Sequence, residues 1–115
     1  MIYRIFYSAD EAGPTCNIYS YPIHEEKNTY YTIIIDPISH RTKRIKKEDI
    51  NIIKPIDSER TAYVVYTMDL ENKDQLIVEM VEKVSNNAYL KVQRYRKIYR
   101  NSVYCKPKMI DMSEW

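Results

Sequence analysis

Glycine is almost absent. The 115-residue chain has a single one, Gly13. Phosphate-cradling loops, dinucleotide crevices and nucleophile elbows all need backbone at positive φ, so its scarcity argues against each of them. Cysteine is limited to Cys16 and Cys105, far apart in the chain. They give no disulfide framework and fit a reducing compartment. No Ser-centred elbow, HExxH or CxxC occurs, so no catalytic grouping is legible and no enzyme is expected. No apolar run approaches the roughly 18 residues of a membrane span. Met1–Tyr7 carries Arg4 without a following apolar stretch and small-residue cleavage site, which is not a secretory signal. The expectation is one cytoplasmic domain over residues 1–115, away from membranes, with a core of its own. The net charge of +2 is too small to argue for nucleic acid by itself, so its distribution matters more.

Tyrosine is abundant: 12 copies against one Phe and one Trp. It supplies contact area at low entropy cost with a polar handle, as at interfaces. It is also a good strand former that tolerates half-burial, and that reading stands beside the first.

The stretch Asp69–Arg100 organises the rest. Ile77, Val81, Val84, Ala88, Val92, Tyr95 and Tyr99 follow one another at steps of three and four residues, which predicts one apolar stripe on a helix. Asp69 is a good N-cap, acidic residues gather toward the start, and Lys91, Arg94, Arg96, Lys97 and Arg100 load the end in the sense the helix dipole favours. A single helix of this length would span roughly 45 Å, more than a compact domain of this size is wide. Either it overhangs or it breaks, and Ser85-Asn86-Asn87 is the expected break.

Strands are expected at Ile2–Tyr7, Asn17–Ile23, Thr29–Asp36, Arg41–Lys46 and Thr61–Met68. Ser8–Thr15 and His24–Asn28 read as connections, with Pro22 ending a ladder or marking an edge. Thr29–Asp36, apolar on both faces, reads as an interior strand covered on one side by the helix. Arg41–Lys46 returns from it as a hairpin whose charge places it at an edge. Lys47–Asp49 is a polar turn or one turn of helix. Val103–Cys105 reads as a short terminal strand and residues 107–115 as a loose tail. The fold class is α+β: an antiparallel sheet of about five strands with a long or broken helix, Asp69–Arg100, packed on it.

Cys16, His24, His40 and Cys105 contain the chemistry of a Cys2His2 zinc site. Their spacing matches no pattern of close ligand pairs, so no metal or other cofactor is expected. Basic clusters remain. Arg41–Lys47 holds five cations in seven residues, among them Arg41, Lys43, Arg44 and Lys46, and Arg94, Lys97 and Arg100 share a helix face. Hairpin and helix together suit a phosphate backbone, with tyrosines to stack on bases. A solvated edge strand and a compensated helix dipole explain the same charges, and no known nucleic-acid-binding signature accompanies them.

The segment KNTYYTIII, a turn, then RTKRIKKEDI, followed by a strand and a charged C-terminal helix, resembles short accessory proteins of phages and mobile elements of Gram-positive bacteria. Lys27–Ile50 carries the similarity, about a fifth of the chain. The resemblance implies a non-enzymatic interaction protein, of a kind that includes anti-CRISPR inhibitors of host defence nucleases, acting in the cytoplasm of a bacterial host. Its partner would then be a host protein such as a nuclease complex, with nucleic acid as the alternative. The resemblance carries over no binding residues.

Overall fold

The computed structural model describes residues 1–91 and 96–113. Its organising element is a five-stranded sheet. Strand β1 (Ile2–Asp10) lies at the centre, between β2 (Gly13–Tyr21) and β7 (Ala62–Thr67). A two-residue edge strand, β6 (Lys54–Pro55), borders β7, and β8 (Lys108–Asp111) runs parallel to β2 at the other edge. The expected loop at Ser8–Thr15 is instead a tight hairpin. Asp10 Oδ1 accepts from the backbone N–H groups of Ala12 (2.8 Å) and Gly13 (3.2 Å), and Gly13 supplies a φ of +126°.

Strand periodicity sorts the side chains into two faces. Register aligns Val65, Ile5 and Ile18 in one row, and Tyr63, Tyr7 and Cys16 in the next. All six are buried. Helix α1 (Lys73–Leu90) covers this face with Leu76, Ile77, Met80, Val84 and Ala88. Asp69 caps the 3-10 turn Leu70–Asn72 that leads into it, accepting from the Glu71 N–H at 2.9 Å.

The helix breaks, but not at Ser85-Asn86-Asn87. Those residues stay helical because tertiary partners satisfy their side chains. Ser85 Oγ lies 2.7 Å from Ser102 Oγ, and Asn87 Nδ2 donates to the carbonyls of Glu59 and Arg60. Helix α1 ends at Leu90, where Tyr89 and Leu90 already point into solvent, and a second helix, α2 (Arg96–Asn101), follows. The buried positions depart from the expected stripe in both helices. Ile98, not Tyr99, is the buried residue of α2, and Val81 is only half-buried while Met80 is fully enclosed. The expected stripe positions Val92 and Tyr95 lie outside the described residues.

A second sheet, β3 (Ile23–Glu26), β4 (Tyr30–Asp36) and β5 (Arg41–Lys46), is antiparallel with β4 in the middle. Pro22 lacks an N–H, ends the β2 ladder and lets the chain pass to this sheet. Here the expectations for β4 and for His24–Asn28 need correction. The interior strand is not covered by the helix, since its sheet packs on the opposite face of the main sheet through Ile2, Tyr21, Ile33, Ile45 and Met112. His24 sits within a strand. The hairpin return is the free edge of its sheet, with Ile45 its one buried residue. Val103–Cys105 forms no strand. The segment expected as a tail supplies β8 instead, and Met112 beyond it is buried.

Candidate functional site

The second face of the main sheet is only partly covered, and the boundary of that cover is where charge gathers. Register places Ile50, Tyr66, Arg4, Tyr19 and Ile110 in one row across the sheet. The next row, Lys54, Val64, Phe6, Asn17 and Lys108, belongs to neither buried core. Arg4 therefore stands in the central strand between two tyrosines. Its guanidinium carbon lies 4.4 Å from the centre of the Tyr19 ring, a cation–π contact. Arg4 Nε is buried with no hydrogen-bond acceptor, and Arg4 forms no ion pair among the described residues.

Strand β5 forms the wall above it. A cleft of about 480 Å³ runs between the two, lined by Arg4, Val64 and Tyr66 from the main sheet and by Lys43, Arg44 and Lys46 from β5. Ile52, Lys54 and Ile56 form its rim. Lys43 Nζ donates to the Tyr66 hydroxyl at 3.2 Å, which ties wall to floor. Asp49 is the one acidic residue in the lining, and its carboxylate is taken by Lys54 at 2.8 Å. Arg4, Lys43, Arg44 and Lys46 are left without an ion-pair partner among the described residues. Alternation along β5 turns Lys43 toward Arg4 with Ile45, and Arg44 and Lys46 toward the outer face with Tyr30, so Arg4 and Lys43 are the two cations that face each other across the cleft.

The cations in and around the cleft sit on tyrosine rings. Besides Arg4 on Tyr19, Lys43 lies over Tyr66 at 5.6 Å, Arg44 over Tyr30 at 4.8 Å and Lys47 over Tyr31 at 5.0 Å. Tyr21 also lies near Arg4. Burial pushes its phenol pKa up and the Arg4 charge opposes that rise. A second depression of about 580 Å³ lies beyond β5, lined by Asn28, Tyr30, Arg44, Lys46, Lys47 and Glu48. Its charge is partly cancelled, because Lys47 pairs with Glu26 at 2.9 Å.

The structure brings Lys43 to the Arg4 side of β5, puts Arg44 and Lys46 on its outer face with Tyr30, and leaves Arg41 exposed at the start of the strand. It does not join them to the helical cluster. Lys97 and Arg100 are exposed on α2, which packs through Ile98 on the helix-covered face of the main sheet. Arg94 lies outside the described residues. The hairpin and the described cations of the helix are thus on opposite sides of one sheet. Sequence reasoning missed Arg4, Lys54 and Tyr66. A signal existed for Arg4, the one charged residue within Ile2–Tyr7.

The zinc candidates are divided in the same way. Cys16 is buried in the helix-side core and Cys105 packs against that core, whereas His24 and His40 are exposed on the second sheet and its turn. Burial, reinforced by nearby Cys105, pushes the Cys16 thiol up to about 11, which leaves it a poor ligand and a poor nucleophile near neutral pH. Among the described residues no group of three or more His, Cys, Asp or Glu is placed to hold a metal ion, and no helix is long and apolar enough to cross a membrane. No protein-family model, curated protein or solved structure matches the chain.

Proposed function

We propose that this is a non-catalytic interaction protein that binds an acidic surface of a partner protein through the Arg4–β5 cleft. The observation that carries the reading is the pair of cations, Arg4 and Lys43, facing one cleft with no carboxylate partner among the described residues. Two further features favour a protein over a nucleic acid. The rings that would stack on bases already have cations on their faces. Acidic residues also interrupt the positive field, at Glu25 bonded to Lys27, Glu26 to Lys47 and Asp49 to Lys54. The resemblance of Lys27–Ile50, the stretch that builds β4 and β5, supplies the biological setting: inhibition of a host defence nuclease by a phage-borne protein in the bacterial cytoplasm.

A second reading, nucleic-acid binding, is favoured by Phe6 on the uncovered part of the sheet beside the Arg4 row. Fluorescence anisotropy with a short single-stranded and a duplex oligonucleotide separates the two. At physiological salt the DNA affinity should be no better than about micromolar, the non-specific range, and should fall as salt rises. Nanomolar binding that survives roughly 200 mM salt would replace the protein-binding reading with the nucleic-acid one. In a plasmid-interference assay with a CRISPR nuclease, the wild-type chain should protect the plasmid, and the triple variant Arg41→Glu, Lys43→Glu, Arg44→Glu should not.

A further inference from the structure

Within the cleft, Arg4 is anomalous on physical grounds. It lies in the middle of the central strand, in a row whose other members are Ile50, Tyr66, Tyr19 and Ile110. A half-buried guanidinium with no anion and a buried Nε without an acceptor is unfavourable, and an apolar side chain of similar length would suit the row better. Its one local compensation is the cation–π contact with Tyr19, and positions that break a local rule mark functional or strained sites.

We propose that Arg4 is the floor of a carboxylate socket, walled by Lys43, that takes an aspartate or glutamate side chain from an acidic segment of the partner, while Val64, Ile52 and Ile56 receive the apolar residue next to it. The inference rests on the interaction-protein reading above. The planar guanidinium fork matches a carboxylate with two parallel hydrogen bonds, a geometry a lysine cannot offer. Lys43 is held in place by the Tyr66 hydroxyl, so the wall charge is positioned before anything binds. The Lys54–Asp49 ion pair lies in the same lining and breaks the run of free cations. The remaining space of about 480 Å³ suits side chains rather than a strand of nucleotides. Ile52 and Ile56 are 51% and 54% exposed at the rim, apolar surface beside a charged floor, which fits a segment in which acidic and apolar residues alternate.

The test uses the full chain and a fluorescein-labelled octapeptide of alternating glutamate and leucine, read by anisotropy, with 15N-edited spectra following the Arg4 Nε–H. The peptide should bind saturably, move the Arg4 Nε–H resonance and lose affinity at least about tenfold in Arg4→Met, whose folding is checked by a thermal melt. Arg4→Lys keeps the charge without the fork and should recover only part of that loss. Lack of saturable binding at millimolar peptide overturns the socket. Equal affinity of wild type and Arg4→Met, with loss in the β5 triple variant, also overturns it while leaving the interaction-protein reading standing. An oligothymidylate of similar length binding more tightly than the peptide overturns both.

Discussion

The two faces of the main sheet are built from the same three strands and end in different states. On the helix side the centre of the sheet is closed: Ile5, Tyr7, Ile18, Val65, Ile77 and Met80 are fully enclosed. On the other side the three-stranded sheet covers the row of Ile2 and Tyr21, and cover stops at the row of Arg4. One face is packed for stability and the other holds an unpaired charge beside open surface. Helix α1 buries Leu76, Ile77, Met80, Val84 and Ala88 on its face, whereas the small sheet meets the large one through few buried residues, with Ile45 the one buried side chain of β5. A fold that can afford an arginine in its central strand does so on the face where closure is incomplete.

The largest effect should come from breaking the closed face. Met80→Asp puts an unpaired carboxylate where nothing is exposed, and should remove more than about 4 kcal/mol of a total near 5–15, enough to unfold the chain by circular dichroism. Val81→Asp, one residue on and half-buried, should be clearly milder. Equal damage at the two positions would mean that α1 is rotated from the phase described.

Alkaline titration should sharpen the comparison next. On the closed face, burial pushes the Tyr7 phenol, which donates to the Val103 carbonyl, up to about 12, and burial pushes the Cys16 thiol up to about 11. The unfolded chain ionises these groups nearer 10.0 and 9.0, so between those values and the folded ones it binds fewer protons than the native state. Stability therefore falls as pH rises from about 9 to 12. Cys16→Ala should make that fall shallower by on the order of 2 kcal/mol, measured by urea unfolding at pH 8 and pH 11. An unchanged slope would show that Cys16 is not shielded as described.

On the open face the smallest and most telling change is Arg4→Met. Removing an uncompensated charge in favour of an apolar chain should raise the melting temperature, corresponding to about 1 kcal/mol or less, even as it removes the socket. The Tyr21 phenol, freed of the opposing Arg4 charge, should titrate at higher pH, followed by its ring carbon shifts. A lower melting temperature would mean that Arg4 has a structural partner and is not held for binding.

Much of this architecture is written in local pattern. The alternation of Ile5, Tyr7 and Ala9, the helical spacing from Ile77 to Ala88, the cap at Asp69 and the charged edge strand Arg41–Lys46 are set by residues within a turn or two of one another. The near-absence of glycine also has a local consequence: His40, Asn51 and Arg60 take the positive-φ positions with side chains attached. Tertiary structure alone decided the rest. Ser85 and Asn87 find partners in Ser102 and the Glu59 and Arg60 carbonyls without leaving the helix, and Lys108–Asp111 becomes a strand because it pairs with Asn17–Ser20. Arg4 becomes a site only when Tyr66, Tyr19 and β5 close around it, from positions tens of residues away. Periodicity fixes which residues of one element share a face. Which faces meet, and which are left open, depends on long-range pairing and on how much apolar area each layer can offer the next.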